Sequence, residues 1–334
     1  MDIMHMKNTN EIKKICDKTL VWDAHAGVFP DAKIDLNLLH EWREHSVDYV
    51  SINVGFDVMT WQQTLSTLAA YRNWVLQNSD HFVLVSDVND ITEAKKREKL
   101  AVAFDIEGMN ALNSDINMIS LYHGLGVRQM LFAYNLNNGA AGGCHDKNIG
   151  LTSFGKSIVA EMNRVGMIID CSHTSLKTTM DIMMQTNKPI VFSHSNPDAI
   201  WHHQRNITDE QIKCCAGTKG VIGINGMGIF LGDNDINIET ILKHICYISD
   251  LVGADHVGLG FDFSPKLDLD LEDILTSRPD YWPHGHGYDT SGIKHAGPFQ
   301  IVEIVSGLIE RGFATAEIKG ILGGNFWRVA SQVW

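Results

Sequence analysis

Two Ser-His pairs, Ser172-His173 and Ser193-His194, each follow a short apolar run, Met167–Cys171 and Ile190–Phe192. A lone His at such a position is more often a hydrogen-bonded polar residue than a ligand. Repetition of the same ending shifts that balance, because two neutral imidazoles arriving by the same route are the start of a metal site. Other runs end in the same way. His25 closes Thr19–His25, Glu107 follows Leu100–Ile106, Tyr134 closes Val127–Tyr134, and Asp262 follows His256–Gly260. His, Glu and Asp suit zinc or a similar divalent ion. His173, His194 and Glu107 make a His₂-carboxylate set with an open position. A second ion on His25 and Asp262, with Glu107 between the two, would give a two-metal hydrolase site that activates water and polarises a scissile carbonyl. Packing alone explains such a set poorly, since buried ionisable groups are costly unless paired.

The elements that must position these residues alternate. Between the Ser-His pairs, Leu176–Gln185 carries apolar residues at helical spacing, so the stretch reads as a β–α–β unit of a parallel sheet. Eight apolar runs separated by helical segments predict an α/β fold, a (β/α)₈ TIM barrel, whose site gathers at the carboxyl ends of the strands. The runs are those above together with Tyr49–Val54 and Val221–Asn225. A helix is expected at Glu11–Asp17, and a longer one near Met59–Asn78, whose aromatic stripe reads as core. Asn137–Gly150, rich in Gly and Asn, is expected to be a mobile loop over the site. No low-complexity linker divides the chain, so 1–334 is expected to be one domain. An insertion at 263–297 after strand eight carries Tyr281-Trp282-Pro283-His284-Gly285-His286, which predicts a rim or lid.

Composition limits the partners. A net charge of −13 argues against nucleic acid or an anionic membrane. No run approaches the ~20 apolar residues of a membrane span, and the N-terminus lacks the apolar core of a signal peptide, so a cytoplasmic location is expected. The six cysteines show no CxxC spacing and are expected to be reduced.

Several stretches resemble the membrane dipeptidase (renal dipeptidase) family of zinc peptidases, peptidase family M19. They are DAHAG at Asp23–Gly27, DIEG at Asp105–Gly108, FGKSIVAEMNRVGMIIDCSHTS at Phe154–Ser175 and FSHSN at Phe192–Asn196. Further matches are RNITDEQI at Arg205–Ile212, DHVGLGFDF at Asp255–Phe263 and ILGGNFWRV at Ile321–Val329. The resemblance implies an amidohydrolase-like barrel with two zinc ions that cleaves dipeptides, including some with a D-residue on the C-terminal side. It implies His25, Glu107, His173, His194 and Asp262 as metal ligands, with Glu107 bridging. Asp262 would also handle the proton, and Arg205 would hold a negative oxygen of substrate or intermediate. Barrels of this type are often dimers, so a homodimer is one expected assembly.

Two departures from the family pattern stand out. The first motif is usually His-x-Asp but reads His25-Ala26-Gly27 here, so one ligand of the first ion is missing. That ion is expected to bind more weakly, to use water or Asp23 instead, or to be absent. Tyr134 stands where the family usually has a His, and a phenol can still donate to an oxyanion. Met227 and the aromatic insertion point to an altered substrate pocket. His145, His202, His203, His284 and His286 are candidate pocket residues or substitute ligands, and Asp170 is a candidate acceptor that orients the histidines. The resulting expectation is a zinc-dependent dipeptidase. The alternatives are a hydrolase of another small amide (an N-acyl amino acid or cyclic amide) and a non-catalytic barrel that binds a small molecule.

Overall fold

Runs such as Leu100-Ala-Val-Ala-Phe104 and Val221-Ile-Gly-Ile224 are apolar without alternation, as strands covered on both faces must be. The computed structural model, which describes residues 12, 15, 16, 18–265 and 275–334, builds them into a nearly closed parallel barrel. Its strands are β1 (Trp22–Ala26), β2 (Tyr49–Phe56), β4 (Leu100–Glu107), β5 (Val127–Leu131), β6 (Ile168–Asp170), β7 (Val191–Phe192), β8 (Val221–Ile224) and β9 (Val257–Leu259). They pair in that order, all parallel. Just beyond β9 the ring is completed by two backbone bonds. The Asp262 N–H donates to the His25 carbonyl and the Gly27 N–H to the Phe263 carbonyl, each at 3.0 Å.

A short ninth strand, β3 (Phe82–Leu84), was not anticipated. It runs parallel beside the first half of β4, whose second half pairs with β5. A last helix, Asn325–Val333, was also missed. Its Phe326, Val329 and Val333 pack with Trp22, Tyr49, Ala101, Ala103 and Ile168 and close the amino-terminal end of the barrel. Trp22 stacks on Tyr49 with ring centroids 3.7 Å apart. The small residues Ala101 and Ala103 make room for these rings, and the same face of β4 continues to Asp105 and Glu107 at the opposite end. One strand face therefore carries both the floor of the barrel and its acidic site.

The expected helices form, among them Trp61–Gln77, started by a Thr60–Gln63 capping box, and Leu176–Gln185. The expected helix Glu11–Asp17 lies partly outside the described residues, as do residues 266–274 of the insertion. The expectation of a mobile Asn137–Gly150 loop is corrected. Asn138 Oδ1 accepts from the Ala140 and Ala141 amides, its Nδ2 donates to Asp57 and to the Phe132 carbonyl, and Ala140 and Ala141 are buried. Gly and Asn serve there as turn formers, with side chains closing the backbone's hydrogen bonds. All six cysteines are free thiols, and among the described residues no helix is long and apolar enough to cross a membrane.

Candidate metal centre and active site

Glu107, the last residue of β4, is buried at the mouth of the barrel, and its Oε1 faces three imidazoles. His194 Nε2 is 3.3 Å away, His173 Nε2 3.4 Å and His25 Nε2 3.7 Å. The two Nε2 atoms of His173 and His194 are 3.0 Å apart. An edge of about 3.3 Å is what a tetrahedral ion with bonds of about 2.0 Å requires of its ligands. The triangle of His173, His194 and Glu107 meets that requirement on all three sides. His25, Glu107 and His194 likewise offer ligand atoms close enough to share one ion. Asp262 Oδ1 lies 3.6 Å from His25 Nε2, so the second group is wider.

Electrostatics favour a cation at this point. Burial drives the pKa of His173 and of His194 well below the usual imidazole range, leaving both neutral, with the single lone pair of His173, on Nε2, accepting from Arg205 Nε. Burial raises that of Glu107, an effect opposed by His25. Glu107 Oε1 is buried without a hydrogen-bond partner, as are His25 Nδ1 and Asp105 Oδ1, which face each other at 3.2 Å. For His25, burial is outweighed by the Asp105, Glu107 and Asp262 charges, and its pKa rises. A divalent ion would satisfy Glu107 Oε1, and binding at His25 Nε2 would leave Nδ1 as the N–H facing Asp105 Oδ1, so the donor set fits the group that the sequence implies.

The local chain explains how each ligand is aimed. Asp170 at the end of β6 accepts from the Ser172 and Ser193 backbone amides, at 2.9 and 3.0 Å, and from Gln129 Nε2 at 3.0 Å. It was expected to orient the histidines directly. Instead it pins the two backbone turns that precede them. Asn135 Oδ1 accepts from His173 Nδ1 at 2.7 Å, which leaves Nε2 as the acceptor facing the cluster. Asn53 Nδ2 donates to Glu107 Oε2 at 2.5 Å, and its Oδ1 accepts from the Gly55 amide, which fixes the amide's orientation. Asn53, Asp105 and Asn135 were missed by sequence reasoning. For Asp105 a signal existed, its i, i+2 spacing from Glu107 on one strand face.

Asp23 is not a substitute ligand. A register shift in β1 between Asp23 and Ala26 puts His25 inside, while the Asp23 carboxylate accepts from Trp42 Nε1 and the Phe261 amide. Strict alternation would have kept Asp23 and His25 on one face. Neither do the other histidines serve as ligands. Both His145 nitrogens are engaged, by Gln204 and Tyr288. His203 accepts from the Arg205 amide and donates to the His286 carbonyl. His202 pairs with Asp198 at the surface, His284 is exposed, and His286 stays outside the metal-binding group.

Beside the cluster, His25, Glu107, His173 and Asp262 line a cavity whose other walls include Tyr134, Met227, Phe56, Phe230 and Trp282. Arg205 is buried just behind this wall, against His173 and the Phe230 ring. Its guanidinium donates to His173 Nε2, Ser195 Oγ and the His194 carbonyl at 3.2, 3.2 and 2.8 Å. Tyr281 and Trp282 are buried with Phe56, Phe230 and Tyr288, so this part of the insertion is a packed wall.

Known proteins share this architecture. A protein of Schizosaccharomyces pombe named as an uncharacterized dipeptidase is 29% identical over 80% of this chain and 62% of its own length. The dipeptidase aclJ of Aspergillus oryzae is 28% identical over 70% of this chain and 52% of its own. The chain thus spans between half and two thirds of the length of these relatives. A crystal structure of an amidohydrolase from Pseudomonas aeruginosa matches with TM-score 0.86 and 26% identity, covering 97% of this chain and 99% of that one. The family model described as membrane dipeptidase (Peptidase family M19) matches residues 15–279, and the chain belongs to that family.

Proposed function

We propose that this chain is a zinc-dependent dipeptidase acting as one domain over 1–334. The observation that carries the reading is the ligand triangle of His173, His194 and Glu107 Oε1 beside a mostly apolar cavity that Glu107 and His173 line. Those three residues would hold the tighter ion, and His25 and Asp262 would hold a weaker one or share the first, since Gly27 contributes no side chain. When bound, the metal lowers the pKa of a coordinated water into the neutral range and polarises the scissile carbonyl.

The protein's own groups do the rest. Asp262, whose Oδ2 is steadied by Asn225 Nδ2 at 3.0 Å, takes the proton of the attacking water and returns it to the leaving amine. Tyr134 donates its hydroxyl to the carbonyl oxygen as negative charge builds there. Arg205, whose Nε lies 3.2 Å from His173 Nε2, supplies positive charge at the cluster to hold a negative oxygen of substrate or intermediate. Met227 and the aromatic walls exclude water and receive the substrate's side chain.

A second reading, hydrolysis of another small amide, draws support from the cavity itself. Among the described residues that line it there is no Lys or Arg to receive a dipeptide's carboxylate. One experiment separates the two. Metal-stripped protein, with and without added zinc, is given dipeptides bearing L- or D-residues at the second position, N-acyl amino acids and cyclic amides. Zinc-dependent cleavage of dipeptides is the expected result. Cleavage confined to the other amides transfers the assignment to them, and no turnover of any member with zinc bound refutes hydrolysis.

A further inference from the structure

Tyr134 and Trp282 come from distant parts of the chain and meet at the cavity wall. The Trp282 indole N–H donates to the Tyr134 hydroxyl oxygen at 3.1 Å. An indole nitrogen can only donate, so the direction of this bond is fixed and the Tyr134 proton must point elsewhere. Among the described residues no acceptor takes that proton. The Tyr134 ring stacks on His173 with centroids 4.3 Å apart, which holds the phenol against the cluster.

The partner is equally well held. Trp282 is buried beside Phe56 and Tyr134. The preceding Tyr281 carbonyl accepts from Asn135 Nδ2 at 2.9 Å, and the Tyr281 hydroxyl donates to the Asp57 carbonyl at 3.2 Å. Asn135 also fixes His173, and the Asp57 carboxylate accepts from the Tyr134 amide at 3.1 Å. The insertion is therefore tied to the loop that carries Tyr134 and to the ligand beneath it.

We propose that Trp282 is a positioning residue for the reaction: its N–H orients the Tyr134 hydroxyl so that the proton faces the reacting carbonyl oxygen. This rests on the proposed hydrolysis and on Tyr134 as the oxyanion donor. A phenol hydroxyl has two in-plane orientations, and a donor on its oxygen both selects between them and strengthens its own donation. Losing the Tyr134 donor outright should cost roughly 100-fold in kcat, as for other oxyanion donors. Losing only its orientation should cost less, about 3- to 10-fold.

The test is a double-mutant cycle on the zinc-loaded enzyme, with the best substrate of the amide panel, reading kcat and KM separately. Trp282→Phe keeps a ring and removes the N–H. Replacement of Trp282 by 3-benzothienylalanine keeps the bicyclic shape and also lacks the N–H, so it answers the question if Trp282→Phe folds poorly. Both should lower kcat about 3- to 10-fold with zinc content unchanged, the 3-benzothienylalanine variant, which keeps the wall's shape, should leave KM unchanged as well, and neither should lower kcat further in a Tyr134→Phe background. An unchanged kcat in both Trp282 variants while Tyr134→Phe is impaired overturns the inference and leaves the Tyr134 assignment standing. So does an equal kcat loss with and without Tyr134, or a loss confined to KM. A fully active Tyr134→Phe enzyme overturns the oxyanion assignment and this inference with it, and a protein that turns over no amide overturns all three.

Discussion

Restoring the family pattern at position 27 should harm this protein. A Cβ built on Gly27 would fall against Asp262 Oδ1 and lie 2.6 Å from the Asp262 carbonyl oxygen. The backbone there cannot move aside freely, because Asp262 N–H to His25 O and Gly27 N–H to Phe263 O close the barrel. Overpacking costs about 1–3 kcal/mol and weakening two backbone bonds about 1 kcal/mol more, so Gly27→Ala should lose about 2–4 kcal/mol. With an unfolding entropy near 2.1 cal/mol/K per residue, or about 0.7 kcal/mol/K for 334 residues, the melting temperature should fall by about 3–6 °C. Gly27→Asp should be at least as destabilised, and its carboxylate should displace Asp262 without adding a metal site. Calorimetry of the two variants, with metal content by mass spectrometry, tests this. A Gly27→Asp protein as stable as the parent that binds one additional zinc would refute the reasoning.

Other consequences follow from the same geometry. His194→Ala should lose zinc-supported turnover and weaken zinc binding by more than the about 10–100-fold typical of losing an outer partner, read by zinc titration; full activity would refute the ligand assignment. Asp170→Ala strands two buried amides and the Gln129 side chain, so it should cost about 3–5 kcal/mol in denaturant unfolding, while Asp170→Asn, which keeps one acceptor oxygen, should cost less. His244 is buried on the helix Ile238–Val252, donates to the Leu231 carbonyl, and has its pKa pushed down to about 4 by burial. The unfolded chain binds that proton more readily, so stability should fall as pH drops from about 6.5 to about 4, by about 3 kcal/mol, and level off below. His244→Gln should flatten that part of the stability–pH curve, and an unchanged slope would show that His244 does not carry it.

The barrel was legible because its strands are buried on both faces and read as largely apolar runs, most of them ending in a polar residue. His173 and His194 stood out because two runs ended alike, and Glu107 and Asp262 because they closed similar runs. The strand β3 escaped notice because Phe82–Leu84 is short and shares an edge of β4 with β5, a pairing that no local pattern encodes. Helix Asn325–Val333 was hidden inside a stretch read for its motif, though its apolar spacing is helical. Asp23 was misjudged for a more general reason. Side-chain alternation predicts facing only while the register holds, and the irregularity in β1 reverses it within three residues.

That same irregularity bears on the missing carboxylate. By turning His25 inward and bringing Gly27 against Asp262, the chain lets one aspartate fill space that the usual His-x-Asp motif would share between two. Glu107 Oε2, meanwhile, is taken by Asn53, so only Oε1 is left free among three imidazoles. Asp105 and Asp262 keep the His25 side the more negative, while Arg205 adds positive charge beside His173 and His194. Ligands compete for a cation through charge and spacing, and here charge favours the His25 side while spacing favours His173 and His194. The glycine is thus better understood as one half of a rearranged site, whose other half is the placement of Asp262 and Asn53, than as a lost ligand awaiting replacement.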